Sequence, residues 1–302
     1  MAMKASGKSA ESGNPQLFAL SVVKNEADII ELCLRHASQF CDRVFLLDHE
    51  SDDSTWARVR SLACENRKVI PVGQIGGTYA HGHKALLFDK VRDGFDEGDW
   101  VLILDADEFL EVNPKPLLRE CNESGNDAIR FRMAQFFVTD LDVGATWFER
   151  DAEEPVSSLA ELPSYYRIDH TINRMFRYSE DVRWRIYDQS GDFAQRGFPE
   201  GPWNLSSKRL VSRHYQYRSK AQMRKRLRVR TEARRKTGCF EHNSDLDWKQ
   251  YVQDHRDLRE ASPQEVITPS LRERVKLWNK RHKVGRRLRR AGRRVLASLR
   301  AG

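Results

Sequence analysis

Four short apolar runs near the amino end of this chain each break into polar residues at their carboxyl ends, and segments of helical period separate them. QLFALSVV (Gln16–Val23) runs into KNEADIIELCLRHASQF, where Asn25 suits a helix cap and Ile29, Ile30, Cys33, Leu34 and Ala37 recur at helical spacing. The strand Arg43–Leu47 leads through a polar acidic loop to a helix predicted over Thr55–Glu65. KVIPVG (Lys68–Gly73) is the third strand, His83–Phe95 the third helix, and GDWVLILDADEFLE the fourth strand. PKPLLRECNES opens with prolines that suit a first helical turn, and Asp127–Val138 is a further long strand. Strands alternating with helices across short connections mean βαβ units. The expected fold class is therefore α/β, with a mostly parallel sheet flanked by helices. From 139 to 215 the pattern loosens into acidic, aromatic and short β-like pieces, read as long loops and mixed strands. From Ser219 the chain turns helical and basic, and no internal repeat is present.

Within this pattern WVLILDADE (Trp100–Glu108) carries the most chemistry. An apolar run ending in two aspartates reads as a buried strand that delivers carboxylates to the sheet's carboxyl edge, where open α/β sheets bind ligands. If the strand continues through them, Asp105 and Asp107 point the same way. Two convergent carboxylates repel unless a cation lies between them, and oxygen ligands suit Mg²⁺ or Mn²⁺ bridging to phosphates. A solvated acidic turn is the alternative for so short a motif.

Bulk properties exclude several classes. The 302 residues are 39% hydrophobic and 32% charged, and no window approaches the roughly 18 consecutive apolar residues of a membrane-spanning helix. The first fifteen residues (MAMKASGKSAESGNP) lack a secretory apolar stretch and are expected to form a disordered tail. Cysteines 33, 41, 64, 121 and 239 show no CxxC spacing, which argues for reduced thiols and against a disulfide framework or zinc site. The net charge of +8 conceals an asymmetry: residues 208–302 hold 29 Lys and Arg against 9 Asp and Glu, a net +20. Such a split marks an anionic partner for the basic half, or a solvated helical face.

Three segments occur in order: VVKNEADII ends the first strand, LLDHESDDST the second, and DADEFL the fourth, preceded by Asp99-Trp100. Together they resemble the family 2 glycosyltransferases of the GT-A fold, in particular the bacterial branch that decorates cell-surface polysaccharide and lipopolysaccharide. That family shows NE after the first strand, D-x-x-S-x-D-x-[ST], then W-x-x-x-x-D-x-D-E-[FY]. HYQYRSKAQMRKRL is similar to the branch's C-terminal signature, a His-Tyr strand end followed by a Ser-started helix. The likeness covers residues 16–140 well and 208–235 loosely.

The resemblance implies a Rossmann-like GT-A domain over 16–218 and a basic helical C-terminal region over 219–302. It implies a hexosyltransferase that moves a sugar from a nucleotide-diphosphate donor to a cell-surface glycan or lipid-linked acceptor, inverting the anomeric centre, with Mn²⁺ or Mg²⁺ as cofactor. Lys24, Asn25, Glu26, Asp48 and Asp52 fall where the donor's nucleoside binds, although Ser51, Asp52 and Thr55 also suit loop shaping and helix capping. Asp105 would contact the ribose or a metal-bound water, Asp107 the metal, and His214 the metal or a phosphate. Lys84 or Arg92 would assist the departing diphosphate, with a solvated helix face the alternative for Arg92. The catalytic base is left among Asp140, Asp169, Glu180 and Glu200, since general-base catalysis needs a carboxylate within reach of the acceptor hydroxyl. Trp147, Tyr165, Tyr166, Trp184 and Trp203 offer either sugar-stacking faces or core. The QxxRW motif of processive synthases is absent, so single additions are expected.

A basic amphipathic segment over 272–302 suits an anionic membrane surface, where each Lys or Arg contributes about 1 kcal/mol. A cytoplasmic protein, peripheral on the inner membrane face, is therefore expected. Two rival readings stand beside this one. A nucleotidyltransferase or phosphotransferase would normally carry a glycine- and lysine-rich loop where KNEAD stands. A basic nucleic-acid-binding protein would need a recognition motif the sequence lacks, so no nucleic-acid partner is expected.

Overall fold

The structure, a computed structural model, describes residues 15–77, 82–184, 197–237, 247–270 and 273. The expected tail and the terminal basic segment lie outside the described residues, apart from Pro15 and Glu273.

Strand β1 (Leu17–Val23) is buried along its whole length, as an uninterrupted apolar run must be in a sheet covered on both faces. After helix α1 (Ile30–Ala37), strand β2 (Arg43–Asp48) pairs with β1 in parallel. Helix α2 (Thr55–Glu65) crosses to strand β3 (Val69–Gln74), parallel to β2. Helix α3 (Gly82–Val91) then leads to strand β4 (Trp100–Ile103), parallel to β1 on its other side. Alternation sends Leu17, Ala19 and Val23 to the core beneath α1, and Phe18, Leu20 and Val22 to the core around Leu87 and Phe88 of α3.

The remaining elements are β5 (Glu108–Leu110), α4 (Lys115–Ser124), β6 (Ala128–Phe137), β7 (Tyr165–Arg177), β8 (Leu205–His214), α5 (Lys220–Thr237) and β9 (Arg259–Glu260). They complete a nine-stranded sheet of order β3-β2-β1-β4-β7-β6-β8-β5, with β9 on β7. This half corrects the expectation of a mostly parallel sheet. β4–β7, β6–β7, β5–β8 and β7–β9 are antiparallel, and β6–β8 alone in this half is parallel. The sheet is mixed because β7, reached from β6 through residues 138–164, inserts antiparallel between β4 and β6.

The segment read as one strand through Glu108 is a second correction. β4 ends at Ile103, Leu104 donates its last ladder bond to Leu20 O at 3.0 Å, and Asp105–Asp107 form a turn closed by Glu108 N–H on Asp105 O at 3.1 Å. Strand alternation therefore does not set the directions of the two aspartates.

Ser219 starts α5, its hydroxyl accepting from Gln222 N–H at 3.2 Å. Met223 and Leu227 anchor the helix on Val138, Phe148, Tyr217 and Trp248. Beyond it the chain returns to the sheet through β9, and Ala261 and Ile267 enter the main core. Among the described residues, no helix is long and apolar enough to cross a membrane.

Candidate functional site

The carboxyl edge of β4 gathers the chemistry. Asp105 Oδ1 accepts from Lys84 Nζ of α3 at 2.6 Å, and Oδ2 accepts from Arg174 Nη2 of β7 at 2.6 Å. Arg174 also donates to Glu108. Both cations are buried, with side chains 4% and 7% exposed. Burial alone would raise the Asp105 carboxyl, but Arg174 and Lys84 hold it well below the usual range. Burial pushes Glu108 up to about 7 in spite of Arg174.

Asp107 faces a different set. The β5–β8 register places Glu108 opposite His214, and Tyr215 N–H donates to Asp107 O at 2.9 Å. This pairing brings His214 Nε2 to 3.4 Å from Asp107 Oδ2, and Arg226 Nη2 of α5 comes to 3.6 Å of the same oxygen. Against its burial, His214 and Arg226 lower the Asp107 carboxyl, while Asp107 raises the half-buried His214 imidazole. A carboxylate oxygen and an imidazole nitrogen at this separation fit two adjacent positions around one divalent ion, with phosphate oxygens and water for the rest. Asp105, with both oxygens engaged by cations, does not fit as a third direct ligand. A grouping of three ligand-type side chains within 4.8 Å occurs elsewhere, at Asp140, Asp254 and His255. There His255 occupies Asp140 and Arg256 occupies Asp254.

The loop after β1 closes the site's other wall. Arg218, with no exposed side-chain surface, donates to Asp28 from Nε at 2.7 Å and to Glu26 from Nη2 at 2.6 Å. Its Nη1 donates to Tyr215 O at 3.0 Å. Arg226 Nη1 reaches the other Glu26 oxygen at 3.1 Å. Glu26 is raised by burial despite Arg218. The result is a continuous chain of charge, Asp28–Arg218–Glu26–Arg226–Asp107–His214, that ties β1, β4, β8 and α5 together.

The other residues expected at the nucleoside fix loops. Lys24 Nζ donates to His49 O at 2.8 Å. Asn25, at φ 56°, receives Asp52 N–H on Oδ1 at 2.9 Å and donates its own N–H to Ser51 Oγ at 2.9 Å. It therefore ties two loops together and does not cap α1, whose cap position is Ile29. Asp48 is fully buried, and accepts from Ser51 N–H, Ser51 Oγ and Gln74 Nε2 at 3.0, 2.5 and 2.8 Å. Asp52 does not cap α2, whose cap position is Ser54; the neighbouring Asp53 accepts from the N–H of Thr55, the first residue of the helix, at 2.9 Å. Asp52 is 72% exposed and faces Lys225 at 3.3 Å.

The base candidates divide by sheet edge. Tyr178 follows β7 and its carbonyl accepts from Gly98, just before β4, at 3.0 Å. Glu180 and Glu200, the latter bridged to Arg183, therefore lie at the amino end of β4, away from Asp107. Arg92 lies there too, donating to Val182 O and Glu180 O at 3.1 Å each. Asp140, beyond β6, and Asp169, on β7 beside His170, lie toward the carboxyl edge. The aromatics offered for sugar stacking are largely core: Tyr166 stacks on Phe136, and Trp184 and Trp203 both pack on Phe176. Trp147 packs on Phe148 and Tyr165 on His255.

Sequence reasoning missed Arg174, Arg218 and Arg226. The available signal was an arginine inside the apolar run RMF of β7, and one directly before the Ser-started helix. A buried arginine requires a buried carboxylate, which a sequence does not locate.

No protein-family model matches the chain, and no curated protein sequence matches it. Among solved structures, TarS of S. aureus is similar at 14% identity and a TM-score of 0.39, over 76% of this chain and 41% of that one. The mannosyltransferase PcManGT from Pyrobaculum calidifontis, solved with GDP-Man and Mn²⁺, is similar at 16% identity and a TM-score of 0.38, over 73% of this chain and 62% of that one. The chain thus spans less than two thirds of either relative's length.

Proposed function

We propose that this protein is a metal-dependent glycosyltransferase of GT-A type, resembling family 2, that moves a sugar from a nucleotide-diphosphate donor to a glycan or lipid-linked acceptor. The observation that carries the reading is the pair Asp107–His214, 3.4 Å apart at the carboxyl edge of a strand in the parallel half of the sheet, with arginine behind it. Asp107 and His214 would hold a divalent cation, which when bound supplies Lewis-acid stabilisation to a departing diphosphate. Asp105 orients Lys84 and Arg174 through its two short ion pairs, keeping both positive groups beside the phosphates' position. Asn25 and Asp48 hold the β1 and β2 loops in register, and those loops form the nucleoside's side of the site. An acceptor hydroxyl loses its proton to a carboxylate on the β6–β7 side, where Asp140 and Asp169 stand, and attacks opposite the diphosphate. Residues 16–218 are read as the catalytic domain, 219–302 as a basic C-terminal region whose α5 and β9 pack on it, and 272–302 as the stretch suited to an anionic inner-membrane face.

The test is donor screening with purified protein, scoring nucleoside diphosphate release and isothermal titration of uridine, guanosine and thymidine diphosphates with and without Mn²⁺. Cation-dependent binding of one of them, lost in Asp107→Ala, is expected. Pyrophosphate release would assign a nucleotidyltransferase instead. Absence of any cation-dependent binding would overturn the proposal.

A further inference from the structure

Arg226 stands between the two acidic walls of the site with most of its donor capacity unused. Nη1 donates to Glu26 at 3.1 Å, Nη2 lies 3.6 Å from Asp107, and the buried Nε has no hydrogen-bond partner. A guanidinium offers five N–H donors in a planar fork matched to phosphate. The contact to Asp107 is beyond hydrogen-bond length, so it is Coulombic and readily exchanged. With 22% of its side chain exposed, Arg226 is also open to solvent.

The other cations of the site are committed. Lys84 and Arg174 are held by Asp105, and Arg218 is saturated by Asp28, Glu26 and Tyr215 O. One turn beyond Arg226, Arg230 has no carboxylate within ion-pair distance among the described residues, and burial and Arg226 hold it down at about 10. Like charges four residues apart on a helix repel. Glu26 and Asp107 already serve Arg218, Arg226 and His214, so Arg230 beside them is left without a counter-ion of its own among the described residues, and an anion supplies one.

We propose that Arg226 is a diphosphate-binding residue held in waiting on Asp107. When a nucleoside diphosphate and a cation arrive together, Asp107 exchanges the guanidinium for the cation, and the guanidinium, still anchored by Glu26, takes phosphate oxygens with Arg230 beside it. The inference rests on the nucleotide-diphosphate reading of the site, and it adds coupling. The cation frees Arg226 for the phosphates, and the phosphates draw Arg226 off the cation's ligand, so each strengthens the other's binding.

The experiment compares wild type, Arg226→Gln and Arg226→Lys, with Arg224→Gln on the helix's exposed face as control. Mn²⁺ alone is titrated by electron paramagnetic resonance, and the nucleoside diphosphate that wild type binds, with its monophosphate, by calorimetry. Thermal melts establish that each variant is folded. Loss of a charge-assisted phosphate contact should weaken diphosphate affinity in Arg226→Gln about tenfold. The monophosphate should be nearly unchanged, and Mn²⁺ alone should bind more tightly because its competitor is gone. Arg226→Lys should recover part of the loss, and Arg224→Gln should match wild type. Unchanged diphosphate affinity in Arg226→Gln, whatever happens to Mn²⁺, would reduce Arg226 to a counter-ion of Asp107 and overturn the inference while leaving the glycosyltransferase reading intact. If wild type binds no diphosphate, that reading falls and this inference falls with it.

Discussion

Arg218 Nη2 donates to Glu26 Oε2 at 2.6 Å, joining the loop after β1 to the start of α5 across 192 positions of sequence. Both groups are buried, and Asp28 completes the cluster from the same loop. Helix α5 is thereby locked onto the carboxyl edge of the parallel half of the sheet, and Arg226, two turns further along, is aimed at Asp107.

Replacing Arg218 by Met removes the cation and leaves two buried carboxylates. Breaking one partner of a buried pair costs about 3–5 kcal/mol. A loss of that amount from the free energy of urea unfolding is expected, and a variant as stable as wild type would show that the cluster does not hold α5 in place.

Asp105→Ala and Asp107→Ala should fail differently. Asp105 neutralises two buried cations, so its loss should destabilise the fold by about 3 kcal/mol or more. Asp107 is shared by His214 and Arg226, the latter retaining Glu26, so its loss should destabilise the fold less than that of Asp105 while abolishing cation-dependent diphosphate binding. Parallel melts and titrations of the two variants check this.

Asp48→Ala deletes the acceptor of two hydrogen bonds from Ser51 in the loop after β2 and of one from Gln74 at the end of β3. Ser51 is half-buried and Gln74 exposed, so water replaces part of what is lost and about 1 kcal/mol is expected. The expected loss of stability should come with a rise in the rate of amide exchange at Ser51.

His83 is buried, and burial, with His49 and Lys24 nearby, lowers its imidazole from 6.5 to about 4. Between those values the unfolded chain binds the proton more tightly than the folded one, so stability falls as pH drops through that window. A loss of about 1–3 kcal/mol from pH 7 to 4 is expected from this residue. Denaturation midpoints should fall less steeply with pH in His83→Gln than in wild type; identical slopes would refute the assignment.

Much of the parallel half was legible. The boundaries of α2 match the expectation, and β1, β2 and β3 fall within a residue or so of it, because a doubly covered strand needs an uninterrupted apolar run and a surface helix an amphipathic one. The order of β6, β7 and β8 was not legible, since antiparallel neighbours are chosen by the long-range fit of two faces. Asp105 and Asp107 were visible as a pair, but the end of β4 at Ile103 gave them separate partners.

Local sequence alone thus determined where backbone leaves the sheet and which residue types wait there, because periodicity and turn chemistry act over a few residues. Only the tertiary structure decided which charge meets which. Coulombic pairing in a buried site depends on distances between segments far apart in the chain, so His214 and Arg226 became partners of Asp107 through the β5–β8 register and the docking of α5.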